Sequence, residues 1–302
     1  MTNYLITVVG PTAIGKTALG IRLANYFNTE VISADSRQFF KEMSIGTAVP
    51  SKEELAMAKH HFIQNISIHD KYNVGMFERK AIAKLNELFE QKQAVVMVGG
   101  SGLYVDAVIK GLDDFPPVKP DIRANLTEKL NTEGIESLQQ LLKDLDPEHY
   151  SNIDLNNTQR LIRALEVCLS SGKSYSSFLA KNNTTRNFET IKIGLHAERK
   201  IIYDRINKRV DIMMQNGLEA EARSLFELKE LNALQTVGYR ELFEYFEGKL
   251  SQEEAIAEIK KNTRRFAKRQ LTWYRRDQTI NWVDYETPSE EIIEMIKEKT
   301  SL

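Results

Sequence analysis

The stretch "GPTAIGKT", residues 10–17, follows the apolar run "YLITVV" and opens into "KTALGIRLANYF". Gly10, Gly15, Lys16 and Thr17 satisfy the pattern G-x-x-x-x-G-K-[ST]. The flanks read as a buried strand and a helix with Leu19, Leu23, Ala24 and Phe27 on one face. That context allows few folds. A strand that ends in a glycine loop and turns directly into a helix aims successive backbone N–H groups at an anion, and the helix dipole adds positive potential there. Glycine lets the backbone approach the oxygens closely, Lys16 adds a mobile cation, and the Thr17 hydroxyl is placed to ligate Mg²⁺. Gly10, Pro11, Thr12, Ala13, Ile14, Gly15, Lys16 and Thr17 are therefore the expected di- or triphosphate loop.

The first third of the chain continues in a βα rhythm. "EVISAD" and "HHFIQNISI" read as strands, and "FERKAIAKLNELFEQ" as a helix with Ile82, Leu85, Leu88 and Phe89 inward. "AVVMVGG" is a further apolar strand, ended by glycines. Such strands, alternating with helices, imply a parallel sheet covered on both faces. The proline-rich "GLDDFPPVKP" marks a boundary, and helical patterns then run from Asp121 to about Lys173. The polar "GKSYSSFLAKNNTTRNFE" reads as a mobile connection to a returning strand, "TIKIGL". The expected fold class is α/β: a P-loop NTPase-like parallel core with C-terminal helices over residues 1–114 and 188–302, and an inserted all-helical domain over residues 115–187. After the returning strand everything reads as helical: Arg199 to Gln215, Leu218 to Glu230, and two more helices split by "EGKLSQEE". There Gly248 stops one helix, and Ser251 with Glu254 forms a capping box for the next.

The loop alone does not specify ATP. Many such enzymes place a Mg²⁺-binding acid at the end of a second strand, but the counterpart here, "AVVMVGGSG", ends in glycines and a serine. Asp35, at the end of "EVISAD", is the main acid near the sheet's carboxyl edge, where open α/β sheets bind ligands. It is open to three roles: metal ligand, general base beside the phosphates, or helix cap. The company of "SRQ" favours chemistry.

Charge adds a second constraint. The 302 residues carry a formal net charge of −1, so affinity for a polyanion must come from local clustering. "KKNTRRFAKRQLTWYRR", residues 260–276, contains eight cations and no acid. On a helix, Lys261, Arg264, Arg265, Lys268 and Arg275 share a broad face, with Ile259, Phe266, Gln270 and Tyr274 expected toward the core. This is a cationic stripe suited to a nucleic-acid backbone. Arg160 and Arg163 add a second basic helix, for which a salt-bridged surface is an equal reading. Cys168 is the single cysteine, which excludes a disulfide framework, and the adjacent His60 and His61 are expected at a strand edge rather than on a metal. No apolar stretch has bilayer length and the start has no signal-like n-region, so the expected compartment is the cytoplasm.

Six segments, "GPTAIGKTALGIRLA", "VISADSRQFFKEMSIGTAVP", "VVMVGGSGLYVDAVIKGL", "NTQRLIRALEV", "VGYREL" and "AKRQLTWYRR", resemble in wording and order the tRNA dimethylallyltransferases, from residue 6 to about 282. The resemblance implies transfer of a dimethylallyl group from dimethylallyl diphosphate to N6 of the adenosine 3′-adjacent to the tRNA anticodon. It also implies Mg²⁺ as cofactor and a cytoplasmic monomer with tRNA and the prenyl donor as partners. By the same resemblance, residues 10–17 bind the donor diphosphate with Thr17 near the metal, and Asp35 is the general base. Ser101 keeps a hydroxyl where the family usually has threonine, and Arg205 neutralises the departing diphosphate, with Arg209 close enough to share that role. Ser36, Arg37, Gln38, Arg123, Gln159, Arg160, Leu161, Ile162 and Arg163 correspond to tRNA-contacting positions. Asp35, Ser101 and, from the stripe, Arg264, Lys268, Arg269 and Arg275 complete that set. Ile14 departs from the small residue common in the loop and is expected to face away from the phosphates. Two other readings stay open on the residues: a kinase using ATP, from the loop alone, and a nucleotide-gated RNA-binding module, from the stripe alone. The related adenylate isopentenyltransferases share the core but have no use for the stripe.

Overall fold

Tyr4–Val9 is buried at every position and forms strand β1, the most enclosed strand of a parallel sheet. The computed structural model describes residues 2–179 and 185–302. Among them, β2 (Val31–Ser33), β3 (His60–His61), β4 (Ala94–Val98), β5 (Glu189–His196) and β6 (Ile280–Asp284) complete a six-stranded sheet in the order β3-β2-β4-β1-β5-β6. Tyr4 pairs with Ala94 on one side and Glu189 on the other, and the register holds to Val8↔Val98 and Val9↔Gly194. Successive β1 side chains feed opposite layers: Leu5 and Val9 join one core cluster, and Tyr4, Ile6 and Val8 the other. Because β4 and β5 lie on either side of β1, chain direction across the sheet reverses beside it, which makes a crevice at the strands' carboxyl ends.

Helices α1 (Lys16–Tyr26), α2 (Lys52–Met57), α3 (Val74–Phe89) and α4 (Gly102–Lys110) connect or follow the first four strands. The chain separates into two compact units, Met1–Lys110 with Arg186–Leu302, and Gly111–Thr185. These joins fall a few residues before the expected 114/115 and 187/188. The second unit contains α5 (Pro120–Glu133), α6 (Ile135–Leu145), α7 (Pro147–Asn152) and α8 (Thr158–Ser171), around a core that includes Leu126, Leu138, Leu142 and Leu165. Residues 180–184, the middle of the polar connection, lie outside the described residues. After β5 the first unit continues with α9 (Arg199–Gln215), α10 (Leu218–Ser224), α11 (Tyr239–Phe246), α12 (Gln252–Tyr274) and α13 (Ser289–Glu298). The capping box at Ser51 and Glu54 starts α2, and the one expected at Ser251 and Glu254 starts α12.

Three expectations need correction. The region after β5 is not wholly helical, because "INWVD" forms β6 and pairs with β5 at the sheet edge. The third strand is only His60–His61, since Phe62 and Gln64 adopt positive φ and turn the chain out of the sheet. The helix expected over Leu218 to Glu230 ends at Ser224 and passes into a 3₁₀ turn at Phe226–Leu228. His60 and His61 do lie at an edge, where His61 Nε2 is 2.5 Å from Glu30 and His60 Nδ1 is 2.7 Å from the Ala58 carbonyl.

Candidate active site

The loop after β1 wraps one end of a cavity of about 310 Å³. Gly10 has φ +141°, and a Cβ there would sit 2.6 Å from the Leu195 carbonyl, so both its conformation and its neighbour demand glycine. Gly15 occupies the N-cap of α1, and no side chain caps the first-turn N–H groups. Those groups are the anion-binding end of the helix. Ile14 packs in the core and also lines this cavity. Lys16 Nζ donates to the Pro11 carbonyl at 2.8 Å. Burial, opposed by the Asp35 carboxylate and reinforced by Arg209, holds the Lys16 ammonium down to about 8.

Arg205 and Arg209 project from adjacent turns of α9 into the same cavity. Arg205 Nε donates to the Ala13 carbonyl at 2.8 Å, and its guanidinium lies 5.1 Å from the Tyr285 ring centre. Burial, with Arg205 alongside, lowers the Arg209 pKa, a sign of a cation poorly compensated by protein groups. Oxygen donors of Thr17, Ser33, Asp35 and Glu54 line this cavity. They form a hard-oxygen set that suits Mg²⁺ together with phosphate oxygens and water. Among the described residues, no group of three or more His, Cys, Asp or Glu makes a metal cage by itself.

A second cavity, about 380 Å³, is lined by Ser36, Arg37, Ser101, Arg240, Phe266 and Arg269. Thr12, Asp35, Thr47, Ala48 and Arg209 line both cavities. Asp35 thus stands at the seam. Its Oδ1 accepts the Arg37 N–H at 3.0 Å, which braces the turn after β2. Ser101 Oγ accepts the Ser36 N–H at 3.0 Å and donates to Ser36 Oγ at 3.1 Å, tying the loops after β2 and β4 together.

Sequence reasoning missed how α12 reaches this seam. Gln270 was expected to face the core and does, at 6% exposure, but it acts as a tie between loops. Its Oε1 accepts the Thr12 N–H at 2.8 Å, and its Nε2 donates to the Gly100 carbonyl at 3.0 Å. A buried glutamine in an amphipathic helix is the available signal, since buried amides are hydrogen-bonded. Gln270→Ala strands two backbone groups and is expected to cost about 2 kcal/mol or more of stability by denaturant titration. An unchanged midpoint would show that water replaces both bonds.

Residues 38–277 match the IPP transferase family. A tRNA dimethylallyltransferase of Christiangramia forsetii is 61% identical over 299 residues, covering 99% of each chain. The chain belongs to this family. Within it, tRNA dimethylallyltransferase 1 of Bacteroides fragilis is 45% identical over 286 residues, covering 95% of each chain. The full-length tRNA isopentenylpyrophosphate transferase of Bacillus halodurans superposes with a TM-score of 0.73 at 37% identity, covering 98% of this chain and 96% of that one. A eukaryotic dimethylallyltransferase acting on tRNA reaches 0.82 at 23% identity, covering 99% of this chain and 80% of that one, a likeness of fold.

The positions that the family resemblance links to tRNA fall into distinct environments. Ser36 and Arg37 line the second cavity, but Arg37 Nη1 donates to the carbonyls of Asn232 and Ala233, each at 3.1 Å. Gln38 lines the first cavity instead, and its Nε2 donates to the Ala48 carbonyl at 2.9 Å. In the helical unit, Arg123 is paired with Glu166, while Gln159 and Arg160 are exposed. Arg163 lies 3.6 Å from Glu166 and over the Phe115 ring. Leu161 and Ile162 are core residues of that unit, their side chains packed inward.

The α12 stripe is narrower than expected. Lys260 pairs with Asp211 of α9 at 2.5 Å, and Lys261 pairs with Glu258. Arg264 Nη1 donates to Asn207 at 2.8 Å. Arg265, Lys268, Arg269, Arg275 and Arg276 remain exposed. Phe266 is also corrected: it is 38% exposed and lines the second cavity, while Ala267 takes the core position.

Proposed function

We propose that the protein transfers a dimethylallyl group from dimethylallyl diphosphate to N6 of the adenosine 3′-adjacent to the anticodon in tRNA, releasing diphosphate. The observation that carries this reading is the pair of cavities meeting at Asp35 and Arg209, one floored by a phosphate loop and the other rimmed by arginines. The first suits the donor and the second a base drawn out of a single-stranded loop. The relatives described above, both tRNA dimethylallyltransferases, point the same way.

The chemistry follows from charge. An exocyclic adenine amine is a weak nucleophile, because its lone pair is delocalised into the ring. Asp35 at the seam accepts a hydrogen bond from N6–H and takes the proton as the N6–C1 bond forms. The C1–O bond breaks in the same step, and negative charge gathers on the diphosphate. First-turn N–H groups of α1, Lys16, Arg205 and Arg209 stabilise that charge in a partly enclosed site. Mg²⁺, held through Thr17 and the donor's oxygens, would add further positive charge against the leaving group. Ser101 holds the loop that presents Asp35. The exposed part of the α12 stripe supplies backbone contacts to tRNA. No helix among the described residues is long and apolar enough to cross a membrane, and we place the enzyme in the cytoplasm as a monomer.

Incubation with dimethylallyl diphosphate, Mg²⁺ and unmodified tRNA, followed by mass spectrometry of the nucleosides, is expected to yield prenylated adenosine. ATP in place of the prenyl donor should yield none. An active donor and a suitable anticodon loop that still give no product would sink the proposal. Lys268→Ala and Arg275→Ala are each expected to reduce the slope of log Kd for tRNA against log salt by about 1. A slope unchanged in both variants would remove the stripe from the RNA interface.

A further inference from the structure

Two motifs have no part in the transfer step as described: "IGTAVP", residues 45–50, and "VGYREL", residues 237–242. One carboxylate joins them. Glu221 of α10 accepts the backbone N–H groups of Ser44 at 3.0 Å and Ile45 at 2.9 Å on Oε2, and that of Gly46 at 2.9 Å on Oε1. Three successive N–H groups converging on one anion make a nest. The fourth donor is Tyr239, which is wholly buried and places its hydroxyl 2.6 Å from the same Oε1. The tyrosine ring presses on the nest so closely that a Cβ at Gly46 would sit 2.5 Å from it.

Both joined segments line the second cavity, Gly46 and Thr47 from the first and Gly238 and Arg240 from the second, and they pack side by side, since a Cβ at Gly238 would lie 4.0 Å from the Gly46 carbonyl. The first segment is held by a further bond donor, Gln38 Nε2, which donates to the Thr47 and Ala48 carbonyls at 3.3 and 2.9 Å. Glu221 and Tyr239 do not themselves line the cavity. They fix the spacing of what does.

We propose that Glu221 and Tyr239 are a positioning pair that locks these two lining segments together and so fixes the shape of the acceptor cavity and the placement of the target adenine against Asp35. This rests on the acceptor assignment made above. A carboxylate offers lone pairs to all four donors, whereas a glutamine has one acceptor oxygen and turns an NH₂ toward donors. Glu221→Gln therefore keeps the volume but pushes part of the nest away. A displacement near 1 Å in a reacting pair costs on the order of 10²-fold in rate. Tyr239→Phe removes one donor of four and is the milder variant.

The test measures kcat and KM for tRNA, and Kd for inorganic diphosphate, in both variants well below their unfolding temperatures. Glu221→Gln is expected to lose on the order of 10- to 100-fold in kcat with tRNA, and Tyr239→Phe a few-fold. Diphosphate affinity, which reads the phosphate loop with Arg205 and Arg209, should hold in both. Folded Glu221→Gln with wild-type kcat and KM overturns the proposal. So does a parallel fall in diphosphate affinity, which would mean a general loosening. If Glu221→Gln does not fold, the same readings on Tyr239→Phe decide. Lack of product from the wild-type protein would remove the acceptor assignment and this proposal with it, whereas an active wild type with unaffected variants overturns the positioning pair alone.

Discussion

Replacing Asp35 by asparagine is expected to lower kcat by about 10²–10⁴-fold, the range that a positioned general base contributes. tRNA binding should survive. The substitution is isosteric, and the asparagine Oδ1 can still accept the Arg37 N–H that Asp35 holds at 3.0 Å, so the turn after β2 stays braced. Ser36 also remains tied to Ser101 through its own N–H. What disappears is the site for the N6 proton, together with a negative charge facing Lys16 and Arg209. Single-turnover prenylation at saturating tRNA, set beside a filter-binding Kd, separates the two effects. A variant that turns over at the wild-type rate would show that the proton leaves by another route. Loss of binding in step with turnover would return Asp35 to a structural role.

The parts of this site that can be read from the chain are those whose physics is local. A glycine at φ +141° followed by Gly-Lys-Thr at a helix start carries its own reason, and an apolar run such as Tyr4–Val9 has no stable place except between two layers. The capping boxes at Ser51 and Ser251 are equally self-contained. Strand β6 is not. Ile280–Asp284 includes Asn281 and Asp284, buries only Ile280 fully, and owes its conformation to pairing with β5. The extent of β3 likewise depends on turns at Phe62 and Gln64 beside the loop after β2, whose Gln38 and Phe39 carbonyls accept the Gln64, Asn65 and Ile66 N–H groups.

Charge is legible in sign but not in compensation. The acid-free window from Lys260 to Arg276 omits Glu258, one turn before Lys261, and cannot show Asp211, which arrives from α9. Periodicity also misplaced Phe266. It lies on the border of the apolar arc, and the arc's centre is set by Ile259, Ala267, Gln270 and Tyr274, so the ring opens into a cavity rather than the core. The choice between Arg205 and Arg209 could not be made from spacing, since positions four apart on a helix share a face, and both line the first cavity.

Lys16→Ala is expected to reduce kcat by about 10²–10³-fold, the usual effect of removing one group that stabilises developing negative charge. Its second signature is a pH dependence that no purely structural role produces. Burial holds the Lys16 ammonium down to about 8 from the usual 10.5. Below pH 8 the free enzyme already carries the cation, and diphosphate binds without proton uptake at this site. Above pH 8 the amine must regain its proton on binding, so affinity for fully ionised inorganic diphosphate should fall, by up to about tenfold per pH unit. The limb ends where the bound-state pKa is reached, and it should be missing from Lys16→Ala. The stability contribution has the opposite sign. Between about 8 and 10.5 the unfolded chain keeps a proton that the folded chain has released, so this group favours folding more as pH rises. Diphosphate titrations and denaturant midpoints across this window should therefore move in opposite directions. Diphosphate affinity that stays flat up to pH 10 would mean that the arginines alone hold the leaving group.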